Sequence, residues 1–139
     1  MFGANDVKTV SFDLHVDPAG AETYLLWRAP VACTILRATI QTNKTQNAGT
    51  ATTIALHNYD TTGTAIKSTD GTAIVALGGT ASASRLTADV PSSTTSILNP
   101  YVAAGEYLVL SYAEEGSGWQ SGELVKYQVD YVIGRAGTN

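Results

Sequence analysis

From Val125 to Ile133 the apolar residues Val125, Tyr127, Val129, Tyr131 and Ile133 alternate with Lys126, Gln128 and Asp130. A period of two puts the two sets on opposite faces of an extended chain, whereas a helix would scatter both around its axis. The segment therefore predicts a strand with one dry face and one wet face. The other end of the chain repeats the pattern, with Val10, Phe12, Leu14 and Val16 set against Ser11, Asp13, His15 and Asp17. Nothing between the two ends sustains an apolar period of 3.6 residues. Thr, Ala, Ser, Gly and Val dominate, while the good helix formers Glu, Lys, Gln and Met are sparse. The sequence predicts an all-β chain without substantial helix.

The middle of the chain fills in the strands. "TYLLWR" (23–28) and "VACTILRATIQT" (31–42) read as strands. In the second, apolar parity slips from Val31, Cys33 and Ile35 to Leu36, Ala38 and Ile40. A β-bulge, or a strand covered on both faces, accounts for that slip. "GTATTIALHNYD" (49–60) ends in an Asx-rich turn. "GTAIK" (63–67) and "GTAIV" (71–75) suggest a hairpin joined by a short Asp-Gly turn. "SRLTADV" (84–90) reads as a strand with Leu86, Ala88 and Val90 facing in. "PSSTTSILNP" (91–100) carries one short apolar element, Ile97 and Leu98. "AAGEYLVLSY" (103–112) turns at Gly105 into a central strand whose unbroken apolar run asks for cover on both faces. About eight to ten short strands with no intervening helix is the pattern of a two-sheet antiparallel sandwich of jelly-roll type.

At 139 residues the chain fits one domain. We place it at residues 8–135, after a flexible arm over 1–7 and before a short tail over 136–139. A net charge of −4 and eight scattered basic residues argue against nucleic acid, since phosphate binding needs clustered Lys and Arg. No apolar run approaches the roughly 18–20 residues of a membrane span, and the first ten residues lack the basic and apolar regions of a signal peptide. These features read as a soluble protein made in the cytosol and unprocessed at its start. The single cysteine, Cys33, excludes an internal disulfide and reads as a buried structural thiol.

Candidates for chemistry are few. Asp13, His15 and Asp17 would project from one face of a strand, a spacing that could ligate a metal. The same alternation is also that of a solvated strand face, and no metal is assigned. His57 sits at a strand end before an Asx turn. No G-x-S-x-G elbow is present, and "GSG" at 116–118 is a loop. Glu114, Glu115 and Glu123 read as solvated loop charge rather than a glycosidase pair. No phosphate-cradling motif occurs, so neither catalytic residues nor a cofactor are predicted. Recognition falls to aromatic residues. Trp119 is either a loop anchor or a ring folded over the core, and Trp27 is a core or subunit-interface residue. Tyr107 and the terminal Phe2 complete the interface candidates.

The segments "WRAPVACTILRATIQT", "GTATTIALHNYDTTGTAI", "ILNPYVAAGEYLVLSYAEEGSG" and "VKYQVDYVIG" together resemble the small jelly-roll structural proteins of tailed bacteriophages. These are the head decoration or cement proteins and related head-fibre and tail-appendage domains, and the resemblance spans nearly the whole chain. It implies a non-enzymatic protein on the capsid surface of a virion, synthesised in the host cytoplasm. It further implies a homotrimer or other oligomer that bridges subunits of the major capsid protein. A neighbouring protomer would then cover the second face of "YLVL" or of "VACTIL". The alternative is a carbohydrate- or receptor-binding module of a tail or head fibre, with Trp119 and Tyr112 stacking on glycans and Tyr59 and Tyr101 as further aromatic candidates.

Overall fold

The computed structural model describes residues 6–15, 22–45, 54–63, 75–77, 88–98, 100–112 and 123–134. Among them are nine strands and no helix. The strands are β1 (Lys8–His15), β2 (Glu22–Arg28), β3 (Cys33–Thr42), β4 (Ile54–Tyr59), β5 (Val75–Leu77), β6 (Ser92–Thr94), β7 (Tyr101–Val102), β8 (Tyr107–Tyr112) and β9 (Leu124–Ile133). One sheet has the order β1-β9-β3-β6, with β7 also on β3; the other runs β2-β8-β4-β5. Every pairing is antiparallel. The pairs nest: β1 with β9, β2 with β8, β3 with β6 and β7, β4 with β5. Successive pairs fall on alternate sheets, so the chain is a long hairpin rolled onto itself, which is the jelly-roll winding of a sandwich.

The alternation in the sequence decides which residues meet. The five-stranded sheet turns Leu14, Cys33, Ile35, Ala38, Ile40, Val125, Tyr127 and Val129 inward, and the four-stranded sheet answers with Leu56, Leu108 and Leu110. Burying each aliphatic side chain of this size contributes about 1.5–3 kcal/mol, so the core has no need of a disulfide. The parity slip in β3 is a bulge: its register with β9 shifts between Ile35 and Arg37. β2 carries a second shift against β8, between Leu25 and Trp27. Each extra residue returns the following apolar side chains to the core.

The corner before β8 depends on one glycine. Gly105 has φ +85°, donates its N–H to the Ala29 carbonyl at 2.7 Å, and precedes Glu106, whose N–H closes the turn on the Ala103 carbonyl. A side chain there would have room, with 3.5 Å to the nearest atoms. The left-handed backbone would still cost an L-residue about 1–2 kcal/mol.

Two expectations change. Val90 does not face in; it is 54% exposed, and Ala88 and Asp89 form a turn. Glu123 is no solvated charge but fully buried, where its Oε1 accepts a hydrogen bond from Thr42 Oγ1 at 2.5 Å. Val109, on the outward side of β8, is only 1% exposed within a single chain, whereas Tyr107 on the same face is half-buried, so the chain itself covers the outward face of "YLVL" in part. The "GTAIK" half of the expected hairpin lies outside the described residues beyond Gly63; β5, at the end of "GTAIV", pairs with β4. Ile97 packs against the core, whereas Leu98 is exposed.

Cys33 is buried, as its apolar neighbours in sequence indicate. Burial, and secondarily the nearby Glu106 carboxylate, push its thiol pKa up to about 11. A thiol protonated in the folded state but ionising near 9.0 when exposed stabilises the fold below pH 9, and that contribution is lost as pH rises toward 11. A maleimide at pH 8 is expected to leave the native thiol unmodified and to react fully in denaturant. Native labelling at the rate of a free thiol would show that Cys33 is accessible.

Candidate functional site

The two sandwich faces that turn outward differ in chemistry. On the five-stranded sheet the register lines up Thr9, Asp130 and Arg37 across β1, β9 and β3. The next row is Ser11, Gln128, Thr39 and Ser93, reaching β6. Thr9 Oγ1 donates to Asp130 Oδ1 at 2.8 Å. This face is a polar ladder with alternating charge, suited to water.

The four-stranded sheet presents apolar and aromatic rows. Arg28, Tyr107 and Tyr59 form one across β2, β8 and β4; Leu25, Val109 and His57 form the next. Leu25 is 56% exposed, a large apolar side chain beside the buried Val109. The Arg28 guanidinium lies 5.9 Å from the centre of the Tyr107 ring, and its Nε donates to the Gly105 carbonyl at 3.3 Å. Ring and carbonyl together hold an exposed cation in place, which lowers the entropy lost when a partner's carboxylate meets it.

The turn after β4 shapes this patch. The Asp60 carboxylate accepts from the N–H and hydroxyl of Thr62, the Asx turn that the sequence suggests. The turn brings Gly63, at φ +72°, against the Tyr107 ring, where a Cβ would stand 3.3 Å from the ring and 3.5 Å from Leu25. Only glycine admits this close approach without a shift. His57 is half-buried with its Nδ1 lacking a hydrogen-bond partner among the described residues, and burial lowers its pKa. Its neutral imidazole therefore belongs to the apolar row at neutral pH.

Of the candidate interface residues, Tyr107 lies on this outward face. Trp27 turns the other way and packs against the core, its ring 5.1 Å from that of Tyr131 on the opposite sheet. Phe2 and Trp119 lie outside the described residues, as does Asp17 of the possible metal triple. Among the described residues no group of three or more His, Cys, Asp or Glu is placed to hold a metal ion. No helix there is long and apolar enough to cross a membrane. Sequence reasoning missed Arg28, though its position between an apolar run and the Ala-Pro turn marks it as a strand-end residue. It also missed Asn58, whose inward place follows from the Leu56 parity.

No family model and no curated protein matches the chain. Among solved structures the chain is similar to one from the cyanophage Pam1 capsid asymmetric unit, at 20% identity and a TM-score of 0.51, covering 96% of this chain and 89% of that one. The two share a fold. Chains from infectious bursal disease virus strains Gx and Gt also match, at 19% and 15% identity, with TM-scores of 0.39 and 0.33. This chain covers 96% and 95% of its own length in those matches but only 32% and 37% of theirs.

Proposed function

We propose that this protein is a non-enzymatic structural component of a virus particle, a jelly-roll module that decorates or cements the capsid shell. The observation that carries the reading is the end-to-end fold likeness to a chain from a cyanophage capsid, which leaves little of either chain unaccounted for. The site chemistry is consistent with it. The described residues bring together an exposed leucine, a positioned arginine and a tyrosine, which is contact chemistry rather than catalysis. The partners are the major capsid protein and further copies of this chain, assembled as a homotrimer, with the Leu25, Arg28 and Tyr107 face as the docking surface. The arm over residues 1–7 is a second anchor in this reading.

The test is co-sedimentation of the purified protein with shells of its source virus assembled without it. Saturable binding is expected, and Leu25→Asp should weaken it at least about tenfold, as the loss of an interface anchor does. Because Leu25 is exposed, the variant should keep its melting temperature within a few degrees. Shells that bind none of the wild-type protein would overturn the reading.

A further inference from the structure

We propose that the cleft at one end of the five-stranded sheet binds a saccharide. It has a volume of about 440 Å³ and is lined by Asp13, Gln41, Asn43, Asp89, Leu124 and Lys126, over a floor of Thr42 and Val125. That size admits one or two sugar rings. The register explains why these side chains converge. Asp13, Lys126 and Gln41 form a single row across β1, β9 and β3, and neighbouring strands are spaced roughly 4.8 Å apart. Asp89 joins from the turn before β6, and Asn43 from the end of β3.

The frame around the cleft is held by hydrogen bonds that leave other polar atoms available. Asn43 Oδ1 accepts from the Leu124 N–H at 2.8 Å, which keeps Nδ2 as a donor. Gln41 Nε2 donates to the Asp89 carbonyl at 3.3 Å, which keeps Oε1 as an acceptor. Asp89 is held at φ +61° by its N–H on the Thr42 carbonyl at 2.8 Å, while the neighbouring Ala88 N–H reaches Thr45 Oγ1. Among the described residues, the side chains of Asp13, Asp89 and Lys126 have no hydrogen bond or ion pair. The two held amides and the three unpaired charged groups therefore surround one exposed apolar side chain, Leu124, which is 50% exposed.

That mixture selects a ligand class. A sugar hydroxyl donates and accepts at once, and a pyranose adds an apolar C–H face, so vicinal hydroxyls satisfy carboxylates and amides while the ring lies on Leu124. An anion would meet two carboxylates. A metal ion would find no group of three acidic or imidazole ligands among the described residues. The inference goes beyond the virion reading and is tested without shells, so either can fail alone.

The experiment is a backbone-amide NMR titration of the full chain with glucose, galactose, N-acetylglucosamine and maltose. At least one is expected to move the amides of Gln41, Asn43, Asp89, Leu124 and Lys126 saturably, with a dissociation constant of about 1 mM. The double variant Asp13→Ala, Asp89→Asn should bind at least about tenfold more weakly, because hydrogen bonds to charged groups are lost. Asparagine tolerates the left-handed backbone at position 89, and the variant's own spectrum reports its fold. If no sugar moves these amides, or the double variant binds like the parent, the cleft is not a saccharide site.

Discussion

Tyr127→Ala is expected to remove about 3–5 kcal/mol of unfolding free energy, while Tyr127→Phe removes close to none. Tyr127 is the largest fully buried side chain among the described residues, set between Phe12 on β1 and Ile40 on β3 at the centre of the five-stranded sheet. Its ring touches the core that both sheets share, so truncation leaves a cavity that a close-packed interior cannot collapse. Its hydroxyl is buried without a hydrogen-bond partner among the described residues, and desolvation raises its pKa. Deleting that oxygen abandons no bond and relieves an unpaired polar atom. Because the folded pKa is raised, the contribution of Tyr127 to stability is full below pH 10 and is lost as pH rises beyond it. Phenylalanine should abolish that alkaline loss. Urea melts of the two variants at pH 7 and pH 11 check both claims, and a phenylalanine variant as damaged as the alanine one would mean the hydroxyl is bonded after all.

That contrast also shows what the sequence makes legible. The strands of both termini, the bulge in β3, the glycine corner and the central place of "YLVL" all follow from side-chain parity, because a period of two fixes which face each residue must take. Buried polar residues were another matter. Glu123 looks like one more loop acid beside Glu114 and Glu115, and only the fold shows that it closes onto Thr42, 81 residues away in sequence. Local pattern carries no information about such long-range partners. Outward faces are equally hard to read, since the exposed Leu25 and the covered Val109 sit opposite one another in register yet differ in what lies above them. The cleft between Asp13 and Asp89 joins four separate stretches of chain, and no spacing within any one of them announces it.

Glu106→Ala should cost about 2–4 kcal/mol, and Glu106→Gln about 1 kcal/mol. A single carboxylate oxygen, Oε2, accepts from Asn58 Nδ2 and from the Ala103 N–H, each at 2.9 Å. One atom thus ties β4 to the corner that launches β8. The same residue's backbone carbonyl receives the Ala29 N–H at 2.8 Å, which adds the end of β2. Asn58 is buried, so among the described residues alanine would leave its amide nitrogen with only the long contact to the Tyr101 carbonyl at 3.4 Å. Glutamine keeps the shape and an acceptor oxygen but loses the charge that strengthens both bonds. Cys33 supplies an independent readout, because the Glu106 charge is the lesser cause of its raised pKa and burial the greater. In the glutamine variant the thiol should titrate below about 11 but still above its ordinary 9.0. Equal damage from alanine and glutamine, with the Cys33 titration unmoved, would show that the carboxylate does not organise the corner. If the corner does loosen in the alanine variant, the Gly105 carbonyl that orients Arg28 loosens with it, and shell binding should weaken even though Glu106 itself never reaches the outward face.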